Sequence, residues 1–284
     1  MWTEFRYTVG RLRGQILGWG IALAVLGLII VPFYSSFQAQ QEQFMQLMEN
    51  YPPEILALFG SDPAAIATPQ GYLQYYFFSL LPIVVGLFAV LVASGLIASD
   101  EEGGRLDLIL AHPLSRTKLF WGRTAAFAAA AFAVTLLGWL GCVLPLGAST
   151  LEVSGGQLAL GFVPLLAQIM IYGTLALLLS QLLPSRGLAA TVAGLVLVVS
   201  YFASSLGSLN ESLATIARFL PYEYYQGGEA LNGLNGIWLA GLLGASAVLA
   251  LLTWWRFVRR DVRLAGEGSW RLPWPLRRRR TVGV

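Results

Sequence analysis

The sequence predicts an all-α integral membrane protein with six transmembrane helices and both termini on the cytoplasmic side. Three observations predict it. Of 284 residues, 56% are hydrophobic and only 12% charged, where a soluble domain carries roughly 25% charged residues. Apolar runs of the length a bilayer requires, about 20 residues, recur at 15–37, 72–98, 120–146, 157–183, 187–207 and 236–256. Threading those runs alternately puts 17 of the 18 Lys and Arg residues on one side and leaves Arg218 alone on the other. Lys and Arg near span ends mark the cytoplasmic face. That face therefore holds the N-terminus, the 99–119 loop, the turn at 184–186 and the basic tail 257–284. A miscounted span would scramble this separation. The segments between runs are too short to fold as domains by themselves, so residues 1–284 read as one transmembrane domain.

The elements follow in order. Trp2, Phe5, Val9, Leu12 and Ile16 share one helical face, with Arg6, Arg11 and Arg13 off it. An N-terminal interfacial helix with its bases toward anionic lipid fits this pattern; a plain continuation of the first span fits it equally. The run 15–37 is longer than the apolar core of a signal peptide and lacks a small-residue cleavage site, so it is expected to remain as a span. The outer loop 38–71 has four acids, no base and a Pro-Pro break at 52–53. Phe44, Leu47 and Met48, then Ile55, Leu56, Leu58 and Phe59, suggest two short amphipathic helices there. Tyr72, Tyr75, Tyr76, Phe77 and Phe78 open the second span, where an aromatic belt anchors a helix at the interface; a substrate-facing role for this group stays open.

Residues 99–118, SDEEGGRLDLILAHPLSRTK, set charges between two oily walls. Asp100, Glu101 and Glu102 suit a helix start, because acids complement the dipole there. Leu106, Ile109 and Leu110 then form one apolar face beside Arg105 and Asp107, and Pro113 stops the helix. Ser115 is placed to cap the third span. The expectation is one stiff amphipathic helix over about 100–112 along the inner surface, its leucine face meeting lipid or a protein partner. Within the spans polarity is mild. Tyr75, Phe78, Gln168, Tyr172 and Tyr201 are the candidates for lining a pathway, against the alternative of ordinary interhelical packing and hydrogen bonds. In the fifth span, Ala189 with Ala193 and Ala190 with Gly194 follow small-xxx-small spacing, a candidate interface with a second subunit. The stretch 210–233 is too polar to span and too apolar to float free, which reads as a partly inserted outer helix stopped by Pro221. In the tail, Trp270, Trp274 and Arg277 to Arg280 suit a lipid surface better than nucleic acid.

Missing chemistry narrows the field further. Lys118 is the only lysine and follows Thr117, so no GxxxxGK[ST] phosphate loop exists in the chain. His112 is the only histidine and has no thiol or acidic companions at metal spacing, so neither a metal site nor a histidine-based triad is expected. Cys142 stands alone, which excludes an internal disulfide. The span interiors carry no Asp, Glu, Lys or Arg, and such groups usually mark proton or ion pathways. An intramembrane enzyme and a proton-coupled transporter are both disfavoured.

A resemblance sharpens the reading. SDEEGGRLDLILAHPLSRTKLFWGR, residues 99–123, resembles the cytoplasmic segment between the second and third spans of permease subunits in the type-2 ABC exporter family. The matching residues are Glu101, Glu102, Gly104, Arg105, Leu106, Asp107, Leu108, Leu110, Pro113, Ser115, Arg116 and Thr117. RFLPYEYYQGG, residues 218–228, is similar to that family's Pro-Tyr region before the last span. ENYPPEILALFG, residues 49–60, is similar to a branch that exports antibiotics and polyketide-like compounds. The resemblance implies a multi-pass permease of the bacterial inner membrane with no nucleotide site or cofactor of its own. It pairs with a second permease, identical or related, and with two ATPase subunits that bind ATP and Mg. It also implies that the helix over 100–112 is a coupling helix seated in an ATPase groove. Asp100, Glu101, Glu102, Arg105 and Arg116 then make polar contacts, Leu106, Ile109 and Leu110 fill the groove, and Pro113 ends the helix. The implied function is ATP-driven export, and the uncharged walls favour an amphipathic or apolar cargo such as a drug, antibiotic or lipid. The alternative is a membrane scaffold that binds a partner through the same loop and moves nothing.

Overall fold

The computed structural model describes residues 1–48, 50–58, 63–111 and 114–260. Phe59, His112, Pro113 and the tail beyond Arg260, with Trp270, Trp274 and Arg277 to Arg280, lie outside the described residues. The chain opens with α1 (Trp2–Ala39), followed by the short helices α2 (Gln41–Met48), α3 (Pro53–Leu58), α4 (Pro63–Ile66) and α5 (Pro69–Leu73). A π-helical turn (Gln74–Phe78) leads into α6 (Leu81–Gly95), and α7 (Ala98–Glu102) and α8 (Leu106–Leu110) follow. Then come α9 (Arg116–Val143), α10 (Gly155–Leu182), α11 (Arg186–Ser205), α12 (Glu211–Ala217) and α13 (Gly236–Arg259). Among the described residues, six helical segments are long and apolar enough to cross a membrane: Trp2–Ala39, Pro69–Gly95, Arg116–Ala148, Gly155–Leu182, Arg186–Ser205 and Gly236–Arg259. The protein is a multi-pass, all-helical membrane protein.

Local chemistry sets where these helices begin. Ser115 caps α9 by accepting from the Lys118 amide. Ser154 and Gln157 form a reciprocal capping box on α10. Ser185, Asn210 and Asn235 cap α11, α12 and α13. Residues 2–14 run into the first span without a break, the second of the two readings the sequence left open. At 38 residues, α1 is about 57 Å long, and it lies parallel to α9 throughout. Glu4 stands beside Arg123, Ala24 against Gly141, and Gln38 against Thr150. A Cβ on Gly141 would sit 2.3 Å from the Ala24 backbone. This is the close approach that small residues permit where no hydrophobic force drives helices together.

α10 sits at the centre, packed against α6, α9, α11 and α13, while α1, α11 and α13 expose most of their apolar surface outward. The aromatic group at 72–78 is mainly internal. Tyr72, Phe77 and Phe78 are buried, and the Tyr72 hydroxyl donates to the Ile30 carbonyl at 2.9 Å. These three therefore hold spans together where the sequence suggested interfacial anchors. The outer segment before the last span divides in two. α12 is largely exposed, while residues 221–231 form two tight turns wedged among the spans, with Gly227, Gly228, Ala230 and Leu231 buried.

Candidate functional site

The connection after α6 is two short helices rather than the single helix expected over 100–112. Gly104 takes a left-handed φ of 65°. The Arg105 amide then bonds the Asp100 carbonyl and the Gly104 amide bonds the Glu101 carbonyl, the hydrogen bonds of a Schellman stop. The Gly-Gly pair at 103–104 is the residue-level cause, since glycine takes this conformation without steric cost.

Four consecutive side chains, Ser99 to Glu102, collect the ends of the spans. Asp100 is almost fully buried and meets three guanidiniums: Arg123 from α9 at 2.8 Å, Arg105 at 3.0 Å and Arg11 from α1 at 3.2 Å. Burial alone would raise its carboxyl pKa, but the charges of Arg123 and Arg11 and the hydrogen bonds from Arg105 and Arg123 hold it below the ordinary carboxylate value. Arg123, 1% exposed, also donates to the Leu96 carbonyl at 2.6 Å and faces Glu4 of α1 at 3.7 Å. Glu101 is buried and takes both bonds of Arg260, just past α13, at 2.7 and 2.5 Å. Glu102 accepts the backbone amide of Arg186 at 2.5 Å, and Ser99 accepts the Arg186 guanidinium at 3.1 Å, which fixes the start of α11. Arg256 and Arg260 both donate to the Gln181 carbonyl at the end of α10, and Arg116 donates to the Arg260 carbonyl. All six spans thus end on one tetrapeptide or on a residue bonded to it.

Several residues expected to meet a partner have contacts within the chain. Asp100 and Glu101 are paired inside it, because the spans converge there and an unpaired buried charge is costly, and the half-buried Arg116 bonds the Arg260 carbonyl. Leu106 is 1% exposed and belongs to the chain's own core, with Ile109 and Leu110 packed against that core. Of the face expected to fill a partner's groove, Leu106 is turned inward in this conformation, while Ile109 and Leu110 stay partly exposed. Leu108, 68% exposed, points outward instead, and Glu102 and Arg105 are exposed with it. Pro113 lies outside the described residues.

The opposite end is held by neutral groups. Pro82 has no N–H to offer the Phe78 carbonyl and the Ile83 amide bonds Leu80, so two carbonyls just before α6 are left for tyrosines to take up: Tyr222 donates to Ser79 at 2.9 Å and Tyr225 to Phe78 at 3.2 Å. Gln168 donates to the Pro221 carbonyl at 2.7 Å, the Tyr222 amide bonds Ser200 at 3.0 Å, and Gln74 accepts the Gly228 amide at 2.5 Å. The Tyr201 ring meets Tyr222 edge-on at 5.2 Å. Of the pathway candidates, Gln168, Tyr172 and Tyr201 are buried around this lock, Phe78 packs on Phe77 and Phe162, and Tyr75 lies apart with Phe44 and Tyr76. Phe78, Gln168, Tyr172 and Tyr201 are core residues in this conformation, because the 221–231 turns fill the space between the spans.

Residues 8–257 match the family described as the C-terminal domain of the multidrug efflux system permease Rv1217c. The chain belongs to this family. It is also 30% identical, over 128 residues, to a probable ABC transporter permease protein, NosY, of Pseudomonas aeruginosa; the match covers 45% of this chain and 44% of that relative, less than half its length. The uncharacterized membrane protein YdbK of Bacillus subtilis is 27% identical over 211 residues, 68% of this chain and 83% of YdbK. The likeness to exporter permeases read from residues 99–123 is thus met by an efflux-permease family and by an ABC permease.

The small residues of α11 are split. Ala189 and Ala193 are fully buried against the chain's own helices, whereas Ala190 is half-buried and nothing would obstruct a Cβ on Gly194. Only the latter pair retains any opening outward, beside the exposed Leu195, Val198 and Phe202. The residues that sequence reasoning missed are the partners: Glu4, Arg11, Arg123 and Arg260 at one end, Gln74, Tyr222 and Tyr225 at the other. Arg123 carried a signal, a base at the very start of the apolar run 120–146, where burial demands a partner.

Proposed function

We propose that this permease is the transmembrane subunit of an ATP-driven exporter of amphipathic or apolar compounds, with the end carrying α7 and α8 facing the cytoplasm. A separate ATPase binds ATP with Mg and docks on the outward face of this connection, through Glu102, Arg105 and Leu108. A second permease, identical or related, completes the pathway. The observation that carries this reading is the convergence of all six spans on Ser99 to Glu102, because a force applied to this short connection reaches every span. Coupling needs two packings of the bundle that ATP binding biases differently, and a shared hub makes the spans repack together.

The experiment compares Leu108→Asp with Leu106→Asp in cells that also produce the proposed partner ATPase. Leu108→Asp should leave the permease folded and inserted while co-purification of the ATPase and drug efflux fall about tenfold or more, as expected when an apolar anchor in an interface becomes charged. Leu106→Asp should lower the amount of folded permease itself. Full ATPase recovery and full efflux with Leu108→Asp would overturn the docking face.

A further inference from the structure

Beside the hub, a partly open cavity of about 130 Å³ lies between α1, α6 and the start of α11. Its polar wall is Thr8, Arg11, Gln15, Ser99 and Arg186. Each guanidinium commits its Nη1 to the hub, Arg11 to Asp100 and Arg186 to Ser99. The two nearby carboxylates are already engaged: Asp100 is divided among three guanidiniums and Glu102 holds the Arg186 amide. The cavity is therefore electropositive. Gly95 makes the room, since a Cβ there would lie 3.0 Å from the Arg186 guanidinium carbon.

The surroundings identify the occupant. Leu91 lines the cavity, and with Leu87 and Val84 it forms an exposed apolar stripe that runs up α6 away from the polar wall. A free anion has no use for such a stripe. We propose that the cavity binds the phosphate-bearing headgroup of an acidic phospholipid, with an acyl chain laid along Val84, Leu87 and Leu91. The volume equals about four waters at liquid density, enough for a phosphate group. The planar guanidinium forks suit phosphate oxygens. This site stands independently of how the ATPase docks.

The test uses the purified full-length permease in detergent, with native mass spectrometry and thermal melting as readouts. Phosphatidylglycerol should be retained and should raise the melting temperature, and phosphatidylcholine with the same acyl chains should do neither. Gln15→Glu puts a negative charge into the cavity, while Arg13→Gln makes the same net-charge change on an exposed residue that does not line it. Gln15→Glu should cut phosphatidylglycerol retention about fivefold, and Arg13→Gln should leave it within about twofold. Arg186→Gln should also cut retention, and Gln15→Glu decides the matter if that variant folds poorly. Equal retention of phosphatidylcholine, equal loss in the Arg13 variant, or equal stabilisation by inorganic phosphate alone would each overturn the proposal. The last outcome would indicate a free-anion site.

Discussion

The two ends of this bundle are fastened by opposite chemistries. At one end, carboxylates on Ser99–Glu102 meet guanidiniums contributed by α1, α9 and the residue after α13. At the other, amides and phenols bond backbone carbonyls around 221–231. The break at Pro82 releases carbonyls among packed helices, so neighbouring side chains must satisfy them. Neutral donors do this without the penalty of burying charge. At the ionic end, long guanidinium side chains let one carboxylate reach several helices at once. The ionic end is expected to be the more costly to open.

The largest contrast concerns which end is which. In the proposed orientation, Leu108→Cys should react with a membrane-impermeant thiol reagent only when the cytoplasmic side is accessible, and Phe219→Cys only from outside. Both positions are highly exposed, and the native Cys142 is buried and should stay silent. Labelling of both positions from the same side would contradict a six-span topology; swapped labelling would invert the proposed orientation.

Next in size is the loss of the central carboxylate. Asp100→Asn leaves Arg11, Arg105 and Arg123 facing one another with only Glu4, 3.7 Å from Arg123, as a counter-charge. Removing one partner from a buried ionic network costs about 3–5 kcal/mol, so the melting temperature in detergent should fall by many degrees. The pH dependence has a definite sign. Because the folded pKa of Asp100 is lowered from 3.8, its stabilisation is complete above that value and is lost only as pH falls through the lower folded pKa. Wild-type hub stability should therefore be flat between about pH 5 and 8. A drop within that window that Asp100→Asn abolishes would mean the carboxylate is not held as the geometry indicates.

At the neutral end, Tyr222→Phe and Tyr225→Phe each remove one hydrogen bond to a carbonyl just before α6, Ser79 and Phe78 respectively. Each should cost about 0.6–1.5 kcal/mol, several times less than the hub variant. Burial raises both phenol pKa values above 10, so these bonds persist below that pH and weaken only as pH rises through the folded values. If the outer lock opens during transport, the two variants should shift efflux rate more than their small effect on melting suggests. Melting losses equal to that of Asp100→Asn would remove the contrast between the ends.

Much of this arrangement was legible in the residues, and what was not has a physical cause. Apolar run length and base asymmetry gave six spans because membrane insertion is nearly a one-dimensional problem. The Ser115 cap was equally readable, being local. The hub was not, because Arg11, Arg123 and Arg260 lie 89, 23 and 159 residues from their carboxylates, a pairing no local pattern encodes. The inward turn of Leu106 was hidden by the assumption of one continuous helix; the Gly-Gly pair was visible, but its left-handed stop rotates everything after it. At the other end, Tyr222 and Tyr225 stood in a motif noted from the sequence. Pro82 marked where carbonyls would be freed, but their donors lie 143 and 147 residues away, beyond the reach of any local pattern.

The smallest expected stability effect belongs to Arg105→Ala, and it separates architecture from function most cleanly. The Arg105 side chain is 60% exposed although it bonds Asp100 at 3.0 Å. Exposed ion pairs contribute about 0.2–1 kcal/mol, and Asp100 keeps Arg11 and Arg123 when this partner goes. The melting temperature should move by no more than about a degree or two, and less in high salt, where the exposed pair is already screened. Yet Arg105 shares the outward face with Glu102 and Leu108, so ATPase recovery should fall even though the fold is intact. A variant that melts like wild type and still binds the ATPase in full would confine Arg105 to hub trimming and shift the docking face onto Leu108 and Glu102. One that melts several degrees lower would show that the third guanidinium is as integral to the ionic end as the two buried ones.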